Sequence, residues 1–129
     1  MRIEEYFLQI RKEIEANPVV RLVTITEEKR GTYEGFLEGE LTFLDKTTLH
    51  FREYVDVEDR SDRLMYSYHY TAEDGRLIFR YDNTGHHRKL KLSTYPHHKH
   101  DGDEERVVVS PAPTLVNVLD EIQGLVKLP

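Results

Sequence analysis

The sequence predicts an α+β domain with an N-terminal helix, an antiparallel β-meander of about five to six strands, and a C-terminal helix packed on the sheet. Two observations lead to this prediction. Apolar residues recur with the helical period at both ends of the chain, and with a period of two between them. A length of 129 residues, with 38% hydrophobic and 33% charged residues, fits one globular domain over residues 1–129.

Each terminal helix is predicted from one apolar stripe. The first stripe is Ile3, Tyr6, Phe7, Ile10 and Ile14, and the second is Leu115, Val118, Leu119, Ile122, Leu125 and Val126. Asn17-Pro18 ends the first helix, because proline disfavours helical geometry in the residue before it. Ser110 or Thr114 is expected to cap the second helix.

Six segments are predicted to be strands, and they span residues 19–25, 33–43, 49–56, 63–72, 77–81 and 107–109. Asp74-Gly75 gives a strong hairpin signal, because this pair readily adopts positive φ. Tyr66, Tyr68 and Tyr70 share one face of their strand. Such a row forms core or a subunit contact more often than a platform for stacking RNA bases.

Glu53 is an unusual residue in the third of these segments. It is in phase with Leu49, Phe51 and Val55, so it is predicted on the apolar face of the sheet. A buried carboxylate is costly unless it is paired or protonated. Three interpretations remain open: a site residue with a tuned pKa, a buried pair with an arginine, or a bulge that reverses the register.

Composition excludes several classes of protein. The chain has no cysteine, which excludes a disulfide framework, a thiolate zinc site and a cysteine nucleophile. It has no apolar run long enough to span a membrane and no signal-peptide core at its N-terminus, so an intracellular, cytoplasmic protein is expected.

One basic, histidine-rich segment stands out against an acidic chain of net charge −6. Five of the seven histidines fall within YDNTGHHRKLKLSTYPHHKH, residues 81–100, and we expect a site loop over about 82–104. The other two, His50 and His69, are expected to be ordinary sheet-surface residues. Residues 76–100 hold one acid, Asp82, against the cations Arg76, Arg80, Arg88, Lys89, Lys91 and Lys99. This pattern suits an anionic ligand, and it also suits a solvated loop.

The segment carries the residue types that RNA cleavage by acid–base chemistry requires. In an extended chain His98 and His100 share one face, with His97 and Lys99 on the other. One neutral imidazole takes a proton from a 2′-hydroxyl, and one imidazolium protonates the leaving 5′ oxygen. Lys99 or Arg80 is assigned to contact the phosphate and stabilise its charge, Asp82 to orient a histidine, and His86 to assist.

Substrate contacts are assigned to residues around this catalytic group, namely Arg80, Tyr81, Asn83, Arg88 and His97. A metal site is the alternative, with Zn²⁺ or Mn²⁺ held by His86, His98, His100 and Asp82. The spacing matches no specific metal motif, so the principal hypothesis needs no cofactor. A third interpretation is a loop that docks a partner protein or nucleic acid without catalysis.

The runs FRYDNTGHH and PHHKH, followed by a valine-rich strand, Ser110 and the helix segment LVNVLDEI, resemble the TumE family of toxin–antitoxin proteins. The resemblance is sharpest over residues 79–122. The residues that fall at the family's motif positions are Tyr81, Asp82, Asn83, His86, Pro96, His98, Lys99 and His100. The chain departs from the motif at Thr84-Gly85, where the family pattern has a small apolar residue and a proline.

The resemblance implies a toxin that is encoded beside an antitoxin protein and that acts on RNA. Taken with the histidine segment, it leads to the hypothesis of a metal-independent endoribonuclease. A metal-dependent hydrolase and a non-catalytic binding module are the rival hypotheses. A homodimer is a further hypothesis, because antiparallel edge strands and a tyrosine row offer pairing surfaces.

Overall fold

A computed structural model describes residues 1–83, 97–103, 107–110 and 112–127; of His98, Val107 and Val109 it describes the backbone alone. Two helices flank seven strands in chain order, which are α1 (Ile3–Glu15), β1 (Val20–Lys29), β2 (Glu34–Phe43), β3 (Thr48–Asp56), β4 (Asp62–Thr71), β5 (Leu77–Asp82), β6 (His98–Asp101), β7 (Val107–Val109) and α2 (Leu115–Leu125). The predicted α+β fold, with a helix at each end of an antiparallel meander, is confirmed. The strand that the sequence did not predict is β6, which lies within the expected site loop over 82–104.

The strands follow one another across a single sheet in the order β1-β2-β3-β4-β5-β6-β7. Every neighbouring pair is antiparallel. Each strand therefore pairs with the strand before it in the chain. This arrangement leaves β1 and β7 as the two edges of the described sheet.

Both helices cover one face of the sheet, and they bury the predicted stripes except at the end of α2, where Leu125 keeps 48% of its surface exposed and Val126 is the C-cap. The buried residues of α1 are Ile3, Tyr6, Phe7, Ile10 and Ile14. Those of α2 are Leu115, Val118, Leu119 and Ile122. Thr114 caps α2 by accepting a hydrogen bond from the backbone N–H of Asn117. No helix in the described part of the chain has the length and apolarity needed to cross a membrane.

Alternate strand residues fill the core beneath the helices. This face contains the buried side chains of Leu37, Leu41, Phe43, Leu49, Phe51, Val55, Tyr66, Tyr68, Tyr70, Phe79 and Tyr81. The tyrosine row of β4 is therefore core in this chain rather than a platform for bases. We call the opposite face of the sheet, which carries His50, His69, Arg80 and His100, the open face.

Gly39 leaves space in the core for the ring of Phe51 on the neighbouring strand. It lies opposite Phe51 in the β2–β3 pair, and a Cβ atom there would lie 2.4 Å from Cε1 of the Phe51 ring. No real Cβ contact is so short, so the phenylalanine ring must shift if a side chain is added.

We expect Gly39→Ala to lower the free energy of unfolding by about 1–3 kcal/mol, because the extra methyl group overpacks the core against the Phe51 ring. Gly31→Ala is the matched control, since a Cβ at Gly31 meets nothing within 4 Å. Urea unfolding of both variants measures the difference. Equal stabilities would show that the core accommodates the methyl group at no cost.

Candidate functional site

Two rows of polar residues cross the open face in straight register. The first row runs from β2 to β6 through the directly opposite residues Glu40, His50, His69, Arg80 and His100. The second row runs beside it through Glu38, Arg52, Ser67, Asp82 and the backbone position of His98. The sheet thus aligns histidines that lie up to 50 positions apart in the chain.

Arg80, Asp82 and His100 form a compact cluster where these rows meet β5 and β6. Arg80 Nε donates to Asp82 Oδ2 at 3.0 Å, and Arg80 Nη2 lies 2.8 Å from His100 Nε2. Asp82 and His100 are almost fully buried, with exposures of 2% and 1%. The Arg80 side chain keeps 25% of its surface exposed. The guanidinium therefore connects a buried carboxylate and a buried imidazole to the surface.

The tautomer of His100 follows from its partners. A guanidinium has donors and no acceptor, so a hydrogen bond with Arg80 requires His100 Nε2 to accept. Asp82 Oδ2 lies farther from the same nitrogen, at 3.7 Å, so the arginine contact decides the tautomer. With Nε2 as the acceptor, the ring proton is placed on Nδ1.

The predicted pairing of His98 and His100 on one face agrees with the backbone of β6, in which His98 lies opposite Asp82 and His100 opposite Arg80. The side chain of His98 and all of His86 and Arg88 lie outside the described residues. Their predicted catalytic and substrate-binding roles stay predictions.

Lys99 lies on the helix side of the sheet, away from His100. Its Nζ is 3.4 Å from Glu121 Oε2 on α2 and 4.9 Å from the centre of the Tyr81 ring. Burial opposes the charge of Lys99, but the hydrogen bond to Tyr81 and the nearby Glu121 raise its pKa overall. The structure therefore does not bring Lys99 together with His100, as a common phosphate contact would require.

Tyr81, Asn83 and His97 also make contacts within the protein. The Tyr81 hydroxyl donates to Glu121 Oε1 at 2.7 Å. Asn83 Oδ1 accepts from the backbone N–H of Tyr66 at 3.0 Å, which joins the end of β5 to β4. His97 Nδ1 lies 2.8 Å from the Tyr66 hydroxyl, and the two rings stack. Their substrate-binding roles stay predictions.

Glu53 points into the core, as the alternation of β3 predicts, with no exposed surface. The Tyr6 hydroxyl of α1 donates to Oε1, and the Tyr68 hydroxyl of β4 donates to Oε2 at 2.5 Å. The pairing of β3 with β4 shifts its register after Glu53, between Tyr54 and Val55. No bulge therefore reverses the position of Glu53.

Arg63 completes this buried network. Its Nη1 donates to the Tyr68 hydroxyl at 3.0 Å, so Tyr68 links the guanidinium to the Glu53 carboxylate. The same guanidinium donates to the backbone carbonyl oxygens of Ala112 and Pro113, and it lies 4.3 Å from the centre of the Tyr66 ring. One interpretation of Glu53 is a buried pair with an arginine. Here Arg63 is that arginine, and the Tyr68 hydroxyl lies between the two side chains.

A cavity of about 340 Å³ opens beside this network, between α1, the start of β4 and α2. Its lining includes Glu53, Arg63, Tyr6 and Glu13. Burial raises the pKa of Glu13, and the charge of Glu53 adds to this effect. The cavity contains both signs of charge and is separated by the sheet from the Arg80 cluster.

Two side chains of the alternative metal site, Asp82 and His100, are described, and their arrangement does not suit a metal ion. The Nε2 lone pair of His100 is directed at Arg80. A guanidinium at 2.8 Å repels a cation from that position. Among the described side chains, no group of three or more His, Cys, Asp or Glu is arranged to hold a metal.

The fold and the buried polar clusters define a small α+β protein with an organised Arg80–Asp82–His100 group on the open face of its sheet. A family model described as Toxin TumE matches residues 10–126. The chain therefore belongs to the TumE toxin family, which implies an antitoxin as its partner. No curated protein and no solved structure matches the chain significantly.

We expect Tyr68→Phe to cost about 1–3 kcal/mol of unfolding free energy, because it leaves the buried Glu53 side chain and the Arg63 guanidinium without their shared partner. Tyr70→Phe is the matched control. It loses one neutral hydrogen bond, to Thr47 Oγ1 at 2.7 Å, and should cost about 1 kcal/mol. Chemical denaturation compares the two, and an equal loss would mean that the charged network adds nothing.

The two tyrosines that donate to Glu53, Tyr6 and Tyr68, predict that the protein loses stability in alkali. Burial, and then the charge of Glu53, raise the pKa of Tyr6 and of Tyr68 well above the ordinary value. Above pH ~10 the unfolded chain loses these protons while the folded protein keeps them. The unfolding free energy should then fall by about 1.4 kcal/mol per pH unit for each tyrosine. Urea titrations from about pH 8 to 11 test this slope, which Tyr68→Phe should reduce.

Proposed function

We propose that this chain is the toxin of a toxin–antitoxin pair and that it cleaves RNA in the cytoplasm as a metal-independent endoribonuclease. Its cognate antitoxin protein would neutralise it. Membership of the TumE toxin family supports the first part. The observation that carries the second part is the Arg80 guanidinium, fixed between Asp82 and His100 at the surface of the open face.

Arg80 is suited to contact a phosphate. A guanidinium binds phosphate oxygens with several donors in a fixed plane, and orientation by a buried carboxylate reduces the entropy lost on binding. Asp82 supplies that orientation at Nε. Because Lys99 lies on the other face with Glu121, Arg80 is the phosphate contact that the geometry favours.

We assign His100 the role of general base, which requires substrate binding to make the imidazole accessible, because 1% of its surface is exposed in the free protein. A phosphate oxygen that competes for the Arg80 guanidinium would release the lone pair of His100 Nε2. That nitrogen could then take the proton of a 2′-hydroxyl while the 2′ oxygen attacks phosphorus. His98, which follows the same face along β6, is proposed to protonate the leaving 5′ oxygen.

The test is incubation of purified protein with total RNA in excess chelator. We expect cleavage by the native chain, a loss of about 10²–10⁴-fold for His98→Ala and His100→Ala, and a loss of about 10²–10³-fold for Arg80→Ala. His50→Ala is the matched control, because His50 lies in the same histidine row but pairs with Glu38 at 2.8 Å. It should cleave within about twofold of the native rate, as expected of a residue that does not touch the substrate.

Expression of the same variants in cells connects this chemistry to toxicity. Growth arrest should follow the cleavage rates, and the His98→Ala chain should remain folded and harmless. Cleavage that requires a divalent metal would favour the metal-dependent hydrolase. A folded native chain that arrests growth, binds RNA or a partner protein, and cleaves no RNA would favour the non-catalytic binding module.

A further inference from the structure

The edge strand β1 is long and unusually exposed for a strand at the end of a sheet. Its ten residues, VRLVTITEEK, contain no proline, and most of them are exposed. Leu22 and Val23 keep 59% and 49% of their surface accessible. The stretch 22–25 within it carries no charged side chain, and an exposed, uncharged edge of this kind pairs readily with another strand.

The backbone of β1 presents hydrogen-bonding groups along this edge. The N–H of Arg30 donates to the carbonyl oxygen of Glu34 at 3.0 Å, in line with the register of β1 and β2. In an antiparallel ladder such hydrogen-bonded pairs alternate with non-hydrogen-bonded pairs. The even-numbered residues from Leu22 to Glu28 therefore bond to β2, while the register shifts between Val20 and Leu22 and leaves Arg21 at an irregularity of the strand. The N–H and C=O groups of the odd-numbered residues Val23, Ile25 and Glu27 point outward.

The side chains of β1 are complementary to a second copy of themselves. We propose that two copies of this chain form a dimer by antiparallel pairing of their β1 edges, with Thr24 opposite the partner's Thr24. This register places Val23 opposite the partner's Ile25. It also brings Arg21, which lies at the register shift and lines the same groove as Val23 and Ile25, near the partner's Glu27. Each of these pairs occurs twice because the dimer is symmetric.

Symmetry and charge select this register. A two-fold axis perpendicular to the sheet preserves its faces, so the pairing must centre on a residue that lies opposite itself. Centring on Ile25 would oppose Arg21 to the partner's Lys29, which repels. Centring on Val23 would oppose Arg21 to the partner's Ile25. Thr24 is the one of these three centres that opposes unlike charges.

The groove beside β1 on the helix side has room for this contact. A space of about 240 Å³ lies between α1 and β1, lined by Ile14, Arg11, Arg21, Val23 and Ile25. Glu27 already accepts two hydrogen bonds from Arg11, at 2.8 and 3.0 Å. In the dimer, the partner's Arg21 would be a second cation beside the Glu27 carboxylate, which Arg11 already holds in place. The partner's Ile25 would cover the exposed Val23.

Charge reversal tests both the dimer and its register. Sedimentation velocity of the native chain over a concentration series should show a dimer. Arg21→Glu should weaken it by about tenfold or more, because two attractive pairs become repulsive. Glu27→Arg should do the same. An equimolar mixture of the two variants should restore dimerisation as a heterodimer, because the glutamate introduced in one chain then lies opposite the arginine introduced in the other.

Arg60→Glu is the matched control, since it makes the same charge change at an exposed residue between β3 and β4. It should leave the dimer unchanged. Thermal melting confirms that the variants fold; if Glu27→Arg does not, Arg21→Glu alone still tests the interface. Concentration-dependent protection of the Val23 and Ile25 amides from hydrogen exchange is the second readout.

Three results would overturn the proposal. A native chain that stays monomeric at all concentrations excludes the dimer. A dimer that tolerates Arg21→Glu must use another surface. Protection of the β1 amides by purified antitoxin, with no dimer of the native chain alone, would identify a strand of the antitoxin as the occupant of this edge.

Discussion

The buried carboxylate of Glu53 constrains the arrangement of the elements around it. Removing a charged group from water is expensive unless donors replace the lost hydration. Here those donors are Tyr6 from α1 and Tyr68 from β4, and Arg63 extends the network to the carbonyl oxygens of the segment before α2. A shift of either helix would leave charged groups unsatisfied. We therefore regard the network as specifying one arrangement of helices and sheet.

The open face depends on the same constraint. Side chains alternate between the faces of a strand, so a slip of one residue would exchange the two faces. Glu53 and Tyr68 must face the helices for their hydrogen bond to form, and this fixes β3 against β4. His50 and His69 are then opposite one another on the other face, and the pairing continues through Arg80 to His100. A polar contact in the core thus helps to align polar residues on the surface.

Much of the fold could be predicted from the sequence, because its signals are local. The stripes of α1 and α2, the alternation of β2 to β4 and the inward position of Glu53 all follow from the spacing of residues along one segment. The strand β6 could not be predicted in this way. Its four residues, HKHD, carry no apolar alternation. They form a strand by pairing with β5 while the Lys99 ammonium lies over the Tyr81 and Phe79 rings.

The candidate site could be predicted only in part for the same reason. The sequence identifies Arg80, Asp82 and His100 as residues that suit anion chemistry. The positions of His69 beside Arg80, and of Lys99 on the far face, depend on pairing between strands, which residue types alone do not specify. Tyr81 on β5 and Lys99 on β6 lie opposite each other, and both contact Glu121 on α2. These contacts join segments that are distant in the chain.

The strict chain order of the strands has a consequence for the way the protein is made. Each strand joins a neighbour that has already been synthesised, so the sheet can grow from β1 onward while the ribosome is still extending the chain. His100 reaches Arg80 only when β6, late in the sequence, has paired with β5. The early hairpins can therefore be in place before the Arg80 cluster is complete.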